Sequence, residues 1–210
     1  MNFLAHLQLA HVSGTSPLGN LLGDFVKGPL PDDLPPALAL GIRLHRRVDA
    51  FTDAHPEHRA AVRCFAPPWR RYGGVLVDML YDHWLARHWS AFNDQALQAF
   101  LADNYAQLLS CTPAHPALPD GLPLPLRRMA EQDWLSTYCS VEGLRHALDG
   151  IGRRLRRPLA LGASLDTLDP AQWAAMEAGF LRFYPALVAF VTEGGLEYAD
   201  DAGAGRFRSS

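Results

Sequence analysis

Cysteine is scarce in this chain, and the little there is forms no pattern. Only Cys64, Cys111 and Cys139 occur among 210 residues, odd in number and far apart. That spacing excludes a disulfide framework and a thiolate zinc motif, and a reducing cytoplasm is the expected home. Long apolar runs are also missing. His, Asp or Arg interrupts every stretch before it reaches the roughly 18 residues of a membrane span. The opening "MNFLAHLQLAHVSG" lacks the basic leader of a secretory signal. No charge of one sign dominates, with 19 basic against 22 acidic residues and a net charge of -3, so a global nucleic-acid signature is absent. Alternating strand-like text is nearly absent. Catalytic signatures of the common kinds are absent too: no GxSxG elbow, no GxxxxGK[ST] loop, no GxGxxG after a strand and no HExxH. The glycines of "SGTSPLGN" follow no strand and read as a turn.

What is present is helical. Apolar periodicity predicts helices over roughly 2–12, 17–28, 36–54, 56–65, 68–91, 94–110, 123–148, 149–157 and 170–192. Asn93-Asp94 reads as an N-cap, and Asp169-Pro170 opens the last helix with proline at its first position. Breaks fall at the Pro- and Gly-rich segments 28–36 and 111–125. The expectation is an all-α single domain over 1–192, with 193–210 a loose C-terminal tail of small and polar residues.

Four polar sets sit inside apolar helical text. One is His6 alone. Asn20 and Asp24 lie one turn apart in "GNLLGDF". His45, Asp49 and Asp53 form an i, i+4, i+8 stripe flanked by Arg46 and Arg47. In "DMLYDHWLARHW", Asp78 and Asp82 share a face and His83 lies to one side. Each has a plain alternative: a satisfied core histidine for His6, a cap or ion pair for Asp24, a solvated salt-bridged face for the arginine-rich stripe. Taken together, imidazoles and carboxylates on four helices, without thiolate, are the donor set of a hard-to-intermediate ion such as Mn²⁺, Fe²⁺ or Mg²⁺. A helical bundle can aim such ligands inward. A metal there would lower the pKa of water, leaving Arg46 or Arg47 to neutralise phosphate.

The blocks "MNFLAHLQLAH", "GNLLGDFVKG", "GIRLHRRVDAFTD" and "DMLYDHWLARHWS" resemble the signature blocks of the bacterial acyl carrier protein phosphodiesterase family. The resemblance is close over the first 90 or so residues and extends more weakly, through "EQDWLSTY", "GRRLRRPL" and "FLRFYP", to about residue 190. It implies hydrolysis of the phosphodiester joining 4′-phosphopantetheine to a serine of holo acyl carrier protein, giving apo carrier and free 4′-phosphopantetheine. It also implies kinship with a divergent branch of the HD phosphohydrolases, all-α helical-bundle enzymes that mostly use Mn²⁺, with Mg²⁺ or Fe²⁺ as alternatives. Those enzymes place a histidine, then an adjacent His-Asp pair, then a later aspartate. Here His6 fits the first ligand and "LLGDF" resembles the pair, but Gly23 stands where its histidine belongs. His45, Asp49, Asp82 and His83 are the candidates to replace it.

The resulting expectation assigns His6, Asp24 and Asp82 as metal ligands. His45, Arg46, Asp49 and His83 are catalytic, with His45 and His83 as ligands or general acid and Asp49 as ligand or tautomer-fixing partner. The segment "GLRHALDGIGRRLRRP" carries Arg145, Arg153, Arg154, Arg156 and Arg157, with Arg127-Arg128 and Arg70-Arg71 as further clusters. The resemblance implies an acidic carrier as partner, and a basic face of this kind would speed and orient its encounter. Arg153, Arg154, Arg156 and Arg157 are the expected docking residues, with no nucleic acid or membrane partner. Two other readings stay open: an HD-type hydrolase of nucleotides or small phosphoesters, and a non-enzymatic adaptor whose polar sets are structural ion pairs.

Overall fold

Helix α1 (Phe3–Ser13) is buried on every side from Leu4 through Ala10, which an amphipathic surface helix could not be. It is the central rod of a computed structural model that describes residues 1–111 and 115–193. Around it stand α2 (Pro17–Leu22), α3 (Pro36–Ala54), α4 (Pro56–Arg63), α5 (Gly73–Arg87), α6 (Leu97–Ser110), α7 (Leu124–Glu131), α8 (Val141–Arg153) and α9 (Pro170–Glu193). Short 3₁₀ turns lie at Trp69–Tyr72, Trp89–Ala91, Leu135–Cys139 and Gly162–Thr167, and no strand occurs among the described residues. The chain is an all-α domain with one core cluster, as the periodicity requires. Residues 194–210, most of the expected tail, lie outside the described residues.

The buried Gln8 side chain of α1 is satisfied from neighbouring segments. Gln8 donates to the Phe92 carbonyl at 3.0 Å and accepts from the Tyr184 hydroxyl at 2.7 Å. The helix has no local N-cap, since the Asn2 side chain does not reach the first turn. Asp82 of α5 does the capping instead: its two carboxylate oxygens accept from the Leu4 and Ala5 N–H groups at 2.8 and 3.1 Å.

Helices α2 and α3 cross almost backbone to backbone. A Cβ at Gly41 would fall within 2.8 Å of the Gly19 and Asn20 main chain, and one at Gly19 within 2.9 Å of the Leu38 carbonyl oxygen. This close approach brings the end of α2 against the middle of α3, where His45 stands.

Several boundaries differ from the periodic reading. The segment expected as 17–28 is helical only to Leu22. The long helix expected over 123–148 is interrupted: α7 stops at Glu131, Asp133 takes φ 49°, and Ser140 caps a new helix by accepting from the Gly143 N–H at 3.0 Å. Helix α8 then runs through 149 to Arg153, so no separate helix occupies 149–157. Asn93 does accept from the Gln95 N–H at 2.9 Å, but α6 begins only at Leu97. The Asp169-Pro170 start holds, with Asp169 and Gln172 capping each other reciprocally at 2.8 and 3.0 Å. By length and composition α9 could cross a membrane. In the fold it packs on α1, α3, α4 and α5, burying Phe180, Phe183, Tyr184 and Leu187.

Candidate metal centre

His6 on α1 and His45 on α3 stack with ring centroids 4.0 Å apart and planes 20° from parallel. Asp49, one turn beyond His45, reaches both rings: Oδ1 lies 3.3 Å from His6 Nε2 and Oδ2 lies 3.1 Å from His45 Nε2. One nitrogen from each ring and one carboxylate oxygen fall within 4.8 Å of one another. Both nitrogens of His6 and Nδ1 of His45 are buried without a hydrogen-bond partner. Buried imidazoles are ordinarily bonded, so orphaned ring nitrogens beside a carboxylate fit a divalent cation. Two neutral imidazoles and one carboxylate form a suitable donor set with open positions.

The electrostatics favour that state. Burial, then the neighbouring His45, pushes His6 down to about 4, so its ring is neutral and can ligate at neutral pH. Burial would raise Asp49, but the two imidazoles and the Met1 amine hold it well below the usual carboxylate range. The Met1 amine is itself buried, 3.2 Å from both Asp49 Oδ1 and Asp78 Oδ1. Burial opposes its charge, yet the two carboxylates hold it up to about 10. Asp78 in turn lies 3.5 Å from His58 Nε2.

One side of this group opens into a cleft of about 260 Å³. Gly23, Asp24, Lys27, His45, Arg46 and Asp49 are among its walls. Asp24 is half exposed on the lip, 3.7 Å from His45 Nε2, and burial raises its carboxyl above the ordinary value. Arg46 donates from Nη2 to the Val26 carbonyl at 2.9 Å, tying the strap after α2 to α3. Gly23 packs directly on the His45 ring, and a Cβ there would overlap it.

The structure thus brings together His6, His45, Asp49, Asp24 and Arg46 from the sequence candidates. Asp82 and His83 are engaged elsewhere. Both oxygens of Asp82 are taken by the α1 backbone. His83 meets the Tyr138 carbonyl through Nδ1 at 2.6 Å and packs edge-on against Trp173. Asp53 is exposed at the end of α3, and Asn20 donates to Thr15 Oγ1 at 3.0 Å. Arg153, Arg154, Arg156 and Arg157 are all exposed. Arg145 is not part of that face: it is bound to Asp166 at 2.6 and 3.0 Å. Sequence reasoning missed His58 and the Met1 amine. His58 carries the plain signal of a lone histidine on an amphipathic helix, and a main-chain amine has no letter of its own.

The acyl carrier protein phosphodiesterase family profile matches residues 1–187. The acyl carrier protein phosphodiesterases of Escherichia coli strains EC4115 and SE11 are each 40% identical over 190 residues, covering 90% of this chain and 96% of theirs. No solved structure matches the chain. With a matched span that takes in the whole candidate centre, the chain belongs to the acyl carrier protein phosphodiesterase family.

Proposed function

We infer that the protein removes 4′-phosphopantetheine from holo acyl carrier protein by hydrolysing the phosphodiester to the carrier serine. Its membership of the family supports this reading. The single observation that carries the site is the His6–His45 pair, with partnerless ring nitrogens, closed by Asp49 beside a cleft that Lys27 and Arg46 also line.

His6, His45 and Asp49 would hold one divalent ion; the family resemblance implies Mn²⁺, with Mg²⁺ or Fe²⁺ as alternatives. The ion supplies charge relief to phosphate and lowers the pKa of water. Asp49 faces Nε2 of both rings, so the ion would lie between its carboxylate and those two nitrogens. Arg46 and Lys27 line the cleft where the nonbridging phosphate oxygens would lie and offset their charge. Asp24, half exposed on the lip, would exchange a proton with the leaving group. Asp82 holds the start of α1, and through it His6, in place. The exposed arginines 153, 154, 156 and 157 supply a positive face for an acidic carrier. Free Cys64, Cys111 and Cys139 suit a reducing compartment.

The test is a mass-shift assay with holo carrier and Mn²⁺. Loss of one phosphopantetheine, dependent on metal and abolished in Asp49→Asn, is the expected result. An unchanged carrier in the presence of folded, metal-loaded protein would overturn the reading and turn attention to small phosphoesters.

A further inference from the structure

A second concavity, of about 470 Å³, lies between the start of α1, α5, the Leu135–Cys139 turn and α8. Phe3, Met79, Tyr138 and Ile151 give it apolar walls, Asn2 and Thr137 give it polar groups, and Arg153 and Arg154 stand at one side. We propose that this groove seats the pantetheine arm of the carrier while its phosphate lies at the metal centre, a proposal that rests on the functional reading above.

Three observations carry it. The first is position. Asn2 lines the groove and directly follows Met1, whose amine touches Asp49 of the metal group at 3.2 Å. Phe3 lines it too and opens the helix that carries His6 one turn later. The groove and the metal group therefore flank the same N-terminal segment, with the buried Met1 amine between them. The second is chemistry. The arm beyond the phosphate is a flexible, uncharged chain with a gem-dimethyl group, two amides and a terminal thiol. A concave site with apolar walls and a few polar groups suits such a chain, and its volume is in the range of small-ligand pockets. The third is charge. Arg153 and Arg154 belong to the basic face, so a carrier drawn to it would present its arm beside the groove.

Gly150 gives a clean probe. It lines the groove, and a Cβ built there meets only the Arg153 guanidinium, at 3.7 Å. A side chain can therefore start from this position toward the groove without its Cβ striking backbone, and it improves an intrinsically poor helix position. By contrast, Gly143 is unsuitable, because a Cβ there would strike the Thr137 main chain.

The experiment compares the full-length protein with Gly150→Leu, using Ala147→Leu as a second variant. Titration calorimetry with pantetheine reads the groove directly, and steady-state kinetics reads its use. Pantetheine is expected to bind the wild type and to lose at least about tenfold in affinity in Gly150→Leu. KM for holo carrier should rise by a similar factor, while hydrolysis of bis-p-nitrophenyl phosphate, which has no arm, should stay unchanged. No binding of pantetheine to the wild type overturns the proposal. So does a wild-type KM for holo carrier in both folded variants. If the wild type leaves holo carrier intact, the functional reading fails by itself, and the calorimetry still decides the groove.

Discussion

Gly23 and His45 share one space: the imidazole on α3 occupies the volume that any side chain at position 23 would need. Gly23 stands immediately before Asp24, whose carboxylate lies 3.7 Å from His45 Nε2. The ring beside Asp24 belongs to the neighbouring helix, admitted by the absence of a Cβ at Gly23 and by the tight α2–α3 crossing at Gly19 and Gly41. Gly23→Ala should therefore push His45 off Asp49 while leaving the helices intact. We expect Mn²⁺ affinity to fall by about 10-fold or more, read by calorimetry alongside an unchanged circular dichroism spectrum. Wild-type affinity in the folded variant would mean that His45 is not a ligand.

Asp49 is the hub of the group, in contact with both rings and with the Met1 amine. Asp49→Asn keeps its shape but removes the charge that a cation and the buried amine both require. Activity on holo carrier should fall at least ~100-fold, a usual loss for a group that supports metal or transition-state charge. Bound metal, measured by atomic spectrometry, should fall with it. Full metal occupancy in Asp49→Asn would exclude this carboxylate as a ligand.

How much of this the sequence shows depends on the kind of information each feature carries. The central helices are plain in the text, because α1 and α5 are apolar almost throughout and α3 has a wide apolar stripe. His45 and Asp49 are paired by the i, i+4 rule alone. That His6 joins them is legible only through the family resemblance, since His6 and His83 are both histidines in apolar helices and only packing separates them. Asp82 misleads for a similar reason. A carboxylate in an apolar helix advertises a ligand, but a backbone cap on another helix places the same residue type in the same setting. The break after Glu131 was hidden because residues 123–148 keep an apolar rhythm. What ends α7 is the backbone at Asp133 and the cap at Ser140, not a run of proline or glycine.

The role of Asp82 as a cap can be separated from any role in chemistry. Asp82→Ala leaves the Leu4 and Ala5 N–H groups buried without acceptors, at a cost of roughly 2–4 kcal/mol for the two together. Asp82→Asn keeps an acceptor oxygen and should recover part of that loss. Urea unfolding reads both variants. The Asn variant should retain most of its activity on holo carrier where it folds, and full loss of activity with native stability would instead mark Asp82 as a ligand.

The pH dependence of stability turns on His6. Its folded value of about 4 lies below the ordinary 6.5, because burial and then His45 oppose the charged ring. Between those values the unfolded chain holds a proton on this residue and the folded chain does not. Its contribution therefore makes the fold more stable as pH rises through that window, and is lost as pH falls from about 6.5 toward 4. Asp82 works in the opposite sense. Burial lifts it from 3.8 to about 7 despite the two backbone hydrogen bonds, so the folded state holds its proton more tightly over that range. A single stability curve mixes the two, and the measurement is the difference between wild type and His6→Asn in the metal-free state. The wild type should lose stability relative to the variant as pH falls across the His6 window. Equal slopes for the two proteins would mean that His6 titrates normally and is not buried as described. Because a metal ion needs the neutral ring, protons should displace Mn²⁺ from His6 in the folded protein only as pH falls to its folded value of about 4.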